Sequence, residues 1–324
     1  MSKHTLVIHG GAGTILRSAM SASKEAAYRQ GLEEALTAGF YILSKGGSAI
    51  DAVMAATISL EDNILFNAGR GSVFAKDGTQ EMDASIMDGS NLAAGAVAAV
   101  KNIRNPIKLA HAIMTQSPHV MLNGKGANDF ASSIGMKEEN DEYFFSQFRY
   151  DQWQDAKEMD RIALDHNIHL KDANESAAAK ASADKDKKFG TVGAAACDQY
   201  GNIAAATSTG GMTNKQWGRV GDSPILGAGT YANNLTCAIS GTGHGELFIR
   251  AVAAYDVSCL MEYKGLSLQE AMDIVVNEKL VKIKGEGGMV GVDAKGNAAM
   301  LFNSDGMYRG MMDSVGKVEV AIYK

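Results

Sequence analysis

The 324-residue sequence has only 3 cysteines, 3 prolines and 2 tryptophans, and no excess of positive charge. Cys197, Cys237 and Cys259 are an odd number, widely spaced and set in apolar surroundings such as AAACD and VSCLM. They make neither a disulfide framework nor a zinc site and read as buried core thiols. Lysine and arginine total 31 against 37 aspartates and glutamates, a net charge of −6. No basic stripe is present to replace phosphate counterions, so nucleic acid is not expected as a partner. Mean hydropathy is −0.11. No apolar run approaches the ~18 residues of a membrane span, and MSKHTLVIHGG carries too short an apolar stretch for a signal-peptide core. The expectation is a soluble, cytoplasmic protein with no membrane partner.

Against these shortages stand 36 glycines, 17 methionines and 46% hydrophobic side chains. The length sets a prior of about two domains at ~150 residues each, although single domains of this size are common. So many glycines imply tight turns or close approaches of backbone to a ligand. TLVIH (5–9) reads as a strand running into HGGAG. Helices are expected over 21–45 and over 48–62, the second opened by Ser48 and Asp51. Residues 66–100 alternate short β-like runs with Gly-containing turns, as antiparallel strands do, and helices follow around 105–116 and 124–134.

The stretch KDANESAAAKASADKDKK (171–188) has no Val, Ile, Leu, Met or aromatic residue, and nine of its eighteen side chains are charged. It cannot bury enough apolar surface to offset the entropy of ordering, and 155–190 reads as a mobile linker. A solvated Ala/Lys helix is the rival reading. From Thr191 onward the pattern is again β-rich, with hairpin turns at DQYGN (198–202) and DAKGN (293–297). Between them lie helices over 245–263 and 267–280, the latter opened by a Ser267–Glu270 capping box. Strands in hairpins and helices in pairs favour antiparallel sheets covered by helices over a doubly wound parallel sheet.

HGGAG (9–13), a Gly-rich turn after a strand, could cradle phosphate, but it lacks both GxGxxG spacing and a P-loop Lys-Ser/Thr. A strained turn beside a small anionic ligand is the better reading. The histidines are scattered, only His166 and His169 being close together, without a metal spacing. No GxSxG elbow is present. What remains is a dense set of Thr, Ser, Gly, Arg and Asp between 190 and 245. TSTGGMT (207–213) places hydroxyls beside two glycines. GRVGDSP (218–224) presents Arg219 and Asp222 three residues apart, and GTGHGE (241–246) sets Thr242 among glycines before a helix. Each alone is a turn. Together they offer a hydroxyl nucleophile, backbone NH donors, and a cation–anion pair suited to a zwitterion, since an Arg fork binds carboxylate and an Asp accepts from ammonium.

Gly190-Thr191 makes the chemistry specific. A Thr hydroxyl at a chain terminus is activated by its own α-amine, whose ordinary pKa of ~7.7–8.0 suits a general base. To expose that amine, the Thr191 hydroxyl would attack the Gly190 carbonyl, form an ester by N→O acyl shift, and yield to water. Glycine at 190 permits the backbone angles of such an attack.

These motifs resemble the plant-type asparaginase/isoaspartyl peptidase family of N-terminal-nucleophile hydrolases. The resemblance covers nearly the whole chain, through HGGAG (9–13), LEDNILFNAGRGSVF (60–74), EMDASIMDG (81–89), NPIKLAHAIMTQSPHVML (105–122), GTVGAAA (190–196), AAATSTGGMTNK (204–215), GRVGDSPILGAGTYANN (218–234) and GTGHGE (241–246), and is weakest over 135–189. It implies an α+β fold, a four-layer αββα sandwich. Residues 1–190 would form an α subunit and 191–324 a β subunit, together one domain, assembled as a homodimer of cleaved α/β heterodimers. By position it implies Thr191 as nucleophile, Thr209 orienting it, and Thr242 with the Gly243 NH as oxyanion hole. Arg219 would grip the substrate α-carboxylate and Asp222 its α-ammonium, with Gly243 and Gly245 closing the pocket. Asn67 would reach the nucleophile from the first subunit. The 60–70 loop would hold a structural sodium ion through the carbonyls of Leu60, Glu61, Asn63, Phe66, Ala68 and Arg70, with no cofactor for catalysis. His244 stands where relatives vary, next to the pocket.

The expected activity is therefore hydrolysis of β-aspartyl amides, releasing L-aspartate from isoaspartyl dipeptides and ammonia from L-asparagine. Arg219 and Asp222 would fix a free α-amino acid, so the scissile bond lies on the β-carbonyl. A glycosylasparaginase, a non-catalytic uncleaved binder of small amino acids, and a phosphate binder using HGGAG are the alternatives.

Overall fold

All nine residues of strand β1 (Thr5–Gly13) are buried, which puts that strand inside the molecule with both faces covered. The computed structural model describes residues 3–158 and 188–324. Twelve further strands follow β1: β2 (Met82–Asp88), β3 (Ala94–Val100), β4 (Met121–Asn123), β5 (Lys188–Phe189), β6 (Val192–Cys197), β7 (Ile203–Thr209), β8 (Thr230–Ala232), β9 (Cys237–Gly243), β10 (Gly287–Asp293), β11 (Ala298–Phe302), β12 (Gly306–Asp313) and β13 (Val318–Tyr323). Among the described residues they make two sheets. One runs in the order β13-β12-β1-β6-β7-β2-β3-β4, with β5 added on β1, and the other runs β11-β10-β9-β8. All pairs are antiparallel except β3 with β4.

The sheets face each other across a core of small and medium side chains that includes Val7, Ala195, Ala205, Ala238, Val290 and Met311. Helices α1 (Ala22–Ser44), α2 (Ala49–Asp62) and α3 (Pro106–Gln116) cover the outside of the large sheet around Leu6, Ile8, Leu36, Val53, Leu60 and Ile107. The small sheet is covered by α6 (Gly245–Ala251), α7 (Ala253–Lys264) and α8 (Leu268–Asp273) around Ile239, Phe248, Val257 and Met272. Helices α4 (Gly124–Ser133) and α5 (Gln147–Glu158) lie between them in the chain. This is the four-layer αββα arrangement expected. The alanines of β6 and β7 let α2 and the second sheet approach closely from opposite sides.

Local chemistry sets several boundaries. Ser48 Oγ accepts from Asp51 N and opens α2, and the Ser267–Glu270 capping box opens α8. Other expectations need correction. The 245–263 helix breaks at Val252, whose φ of 48° separates α6 from α7. Within 66–100 only β2 and β3 are strands, because 66–81 is spent on loops and a 3₁₀ turn. HGGAG is no turn before a helix. It continues β1, with a register shift between His9 and Ala12, so the phosphate cradle has no helix N-terminus to use. Cys197 and Cys237 are buried, but Cys259 is only half-buried. The 155–190 linker is ordered at both ends, since α5 runs to Glu158 and β5 pairs with Ala12 and Gly13. The remainder of that stretch, 159–187, lies outside the described residues.

Candidate active site

Strand register assembles the site. Val192 pairs with Ser208 and Asp83 with Thr209, so Thr191 emerges beside the end of β7. Its Oγ1 lies 3.3 Å from Thr209 Oγ1, and both residues are buried. The Gly190 carbonyl accepts two hydrogen bonds, from Asn67 Nδ2 at 2.9 Å and from Thr209 Oγ1 at 2.9 Å. Asn67 is itself fixed, because its Oδ1 accepts from Val73 N and its Nδ2 also donates to Gly211 O. Asn67 thus reaches the residue before Thr191.

Across the cavity, β9 ends at Thr242 and Gly243. Thr242 Oγ1 is buried with no hydrogen-bond partner among the described residues. Gly243 lines the same cavity as Gly190, Thr191, Thr209, Arg219 and Asp222, which has a volume of about 20 Å³. Asp222 is buried, one carboxylate oxygen lacks a described partner, and burial raises its pKa to about 7 against the opposing pull of Arg219. Gly245 explains itself sterically. A Cβ there would stand 2.9 Å from both Arg219 Nη2 and Asp222 Oδ1. The structure therefore gathers Gly190, Thr191, Thr209, Thr242, Gly243, Arg219, Asp222 and Gly245 in one place, with Asn67 behind the first two.

Three features were not anticipated. Arg219 is paired with Glu246, Nε to Oε1 at 2.8 Å and Nη2 to Oε2 at 2.9 Å, and His244 Nε2 stands 3.5 Å from Glu246 Oε2. A half-buried cation in a pocket favours an anion beside it, and Glu246, one residue past GTGHG, was the legible signal. His9 is wholly buried, with Nδ1 against the Thr191 carbonyl at 3.0 Å and Nε2 against Ser240 Oγ at 2.8 Å. Burial lowers its pKa to about 3, so it works as a neutral imidazole. From Ser240 the chain of hydroxyls continues through Thr207 and Thr230 to Ser85 and the carbonyl of Ser223, next to Asp222. Gly193 makes room for it, since a Cβ there would collide with Ser240 Oγ and His9 Nε2.

The third is the carboxyl of Glu61. It is buried, accepts from Ser208 Oγ at 2.6 Å and from Ile107 N at 3.0 Å, and burial pushes its pKa up to about 8. It ties the 60–70 loop to the residue preceding Thr209. In that loop the backbone turns back on itself. A Cβ on Gly69 would meet Glu61 O at 2.6 Å, and one on Gly71 would meet the carbonyls of Phe66 and Ile64. Backbone carbonyl oxygen is the donor type a hard cation takes.

A sequence model of a family described as Asparaginase matches residues 2–322. The isoaspartyl peptidase of Salmonella typhimurium is 50% identical over 309 residues, covering 95% of each chain. That of Escherichia coli is 50% identical over 309 residues, 95% of this chain and 92% of the relative. The isoaspartyl peptidase/L-asparaginase of Homo sapiens is 42% identical over 303 residues, 93% of this chain and 91% of the relative.

Proposed function

From the premise that this chain belongs to the asparaginase family, we propose that it hydrolyses the side-chain amide of L-asparagine and the β-aspartyl bond of isoaspartyl dipeptides, after cutting its own Gly190–Thr191 bond. The observation that carries the self-cleavage is the pair of donors on the Gly190 carbonyl. Asn67 Nδ2 and Thr209 Oγ1 lie where negative charge would develop as the Thr191 hydroxyl adds to that carbon. Preorganised donors of this kind contribute roughly 2.7–4 kcal/mol each in acyl-transfer sites. Addition transfers the Gly190 acyl group from nitrogen to oxygen, and water then hydrolyses the ester to leave a free amine on Thr191.

That amine takes the hydroxyl proton in turnover, with Thr209 orienting the hydroxyl. Arg219 holds the substrate α-carboxylate and Asp222 its α-ammonium, so the β-carbonyl faces Thr191. Thr242 Oγ1 and the Gly243 NH receive the oxyanion, the leaving amine carries away the proton, and water releases L-aspartate from the acyl-enzyme.

Carbonyls of Leu60, Glu61, Asn63, Phe66, Ala68 and Arg70 would hold a sodium ion. Its contribution is rigidity of the loop that carries Asn67. We place the enzyme in the cytoplasm as a homodimer of cleaved α/β heterodimers. Among the described residues no helix is long and apolar enough to cross a membrane.

Intact mass under denaturing conditions tests the proposal. Fragments 1–190 and 191–324, together with L-aspartate release from L-asparagine, are expected. A persistent full-length chain that still hydrolyses L-asparagine would refute the self-cleavage mechanism.

A further inference from the structure

A second cavity, of about 510 Å³, is lined by Ala75, Lys76, Asp77, Glu81 and residues 215–218. The loop 211–219 walls both cavities, since Gly211, Met212 and Arg219 face the small one while Lys215, Gln216, Trp217 and Gly218 face the large one. The small cavity takes the aspartyl group, so the residue beyond the scissile bond must be accommodated outside it.

Trp217 is the unusual member of that wall. Its side chain is 95% exposed. It sits at the second position of a four-residue turn closed by Arg219 N donating to Gln216 O at 3.0 Å. Trp217 and Gly218 both have positive φ, 56° and 68°. Two positive φ values in the centre of a turn belong to the type I′ geometry, which Asn-Gly fills at little cost. An indole there is strained and solvated together, and such positions persist where they serve a site. A flat aromatic face beside a cavity is suited to stacking against a bound ring.

We propose that Trp217 walls a subsite for the leaving residue of β-aspartyl dipeptides and favours aromatic or large apolar side chains by stacking on the indole. The inference rests on the activity proposed above. It makes Trp217 a specificity determinant for the leaving side of the substrate, while Arg219 and Asp222 fix the aspartyl side.

The test compares kcat/KM for β-aspartyl-phenylalanine, β-aspartyl-glycine and L-asparagine in the wild type, Trp217→Asn and Trp217→Phe. Asn is the better turn residue, so Trp217→Asn should melt at the wild-type Tm or above. Its ratio of β-aspartyl-phenylalanine to β-aspartyl-glycine should nonetheless fall roughly fivefold, the scale of one aromatic contact, with Trp217→Phe restoring most of it. Ratios cancel any displacement of the neighbouring Arg219. An unchanged ratio would overturn the subsite, and a uniform loss on all three substrates accompanied by a change of oligomeric mass would overturn it and assign Trp217 to assembly. A wild type that cleaves none of the three would overturn the underlying activity itself. Activity on L-asparagine with no discrimination among dipeptides overturns the subsite alone.

Discussion

The carboxylate of Glu246 meets the guanidinium of Arg219 edge to edge, through hydrogen bonds of 2.8 and 2.9 Å. Glu246 thereby occupies the Nε side of the fork and leaves the far end of the guanidinium for the substrate carboxylate proposed above. The pair is partly open to solvent, the Glu246 side chain being 46% exposed, so its strength is that of a screened ion pair. Its value lies in aim. Glu246→Ala should raise KM for L-asparagine a few-fold, roughly the effect of up to about 1 kcal/mol, with kcat changed less. Steady-state kinetics on the variant checks this, and a kcat-only effect would contradict the positioning role.

Protonation of Asp222 should gate substrate binding. Burial raises its pKa to about 7, and below that pH the free enzyme carries a neutral carboxyl with little attraction for an ammonium. kcat/KM for L-asparagine should therefore fall as pH drops through about 7. In Asp222→Asn the residual activity should keep only the fall set by the Thr191 α-amine, whose ordinary pKa is ~7.7–8.0, and lose the further fall through about 7. A pH–rate profile that stays flat from 8 to 5.5 would remove this carboxyl from substrate recognition.

Maturation should depend on the two donors to the Gly190 carbonyl. Asn67→Asp and Thr209→Val preserve shape and delete the donated hydrogen bond, and each should slow conversion of the full-length chain on the order of 100-fold. Band conversion on denaturing gels over days reads this directly. Cleavage at the wild-type rate in both would place the oxyanion elsewhere.

His9 should make folding acid-sensitive. Its pKa of about 3 in the folded state lies below the ordinary 6.5 of an unfolded chain. Between these values the unfolded state binds the extra proton, so stability is lost as pH falls from about 6.5 towards 3 and is retained above that window. One such group contributes at most about 1.4 kcal/mol per pH unit. Urea midpoints of the wild type should decline more steeply over this range than those of His9→Gln, and parallel slopes would count against the assignment.

Much of this was readable in the residues. Thr191 preceded by Gly190, and Arg219 spaced three residues from Asp222, carry their chemistry in identity and spacing alone. Ser48 and Ser267 marked helix starts because caps are local. His9 was not readable in this way. A histidine in an apolar strand is indistinguishable from a satisfied core residue until the fold brings Ser240 and the Thr191 carbonyl to its two nitrogens. The Glu61 carboxyl was hidden for the same reason, since Ser208 and Ile107 reach it only through tertiary packing. Lys188 and Phe189 read as linker because their strand partners, Gly13 and Ala12, lie some 175 positions earlier in the chain.

The strand order of the large sheet has a consequence for the mature protein. Read across, β13-β12 come from beyond Thr191, β1 from before it, β6-β7 from beyond, and β2-β3-β4 from before. The proposed cut of the Gly190–Thr191 bond would thus turn one chain into two that are interleaved, each lending strands to the other's interior. With the cut proposed above, the fragments would stay together in native conditions without any covalent link, and unfolding would change from a unimolecular to a dissociative event. Melting of the cut protein should rise with protein concentration, and a denatured sample should recover only as fast as two separate polypeptides find one another.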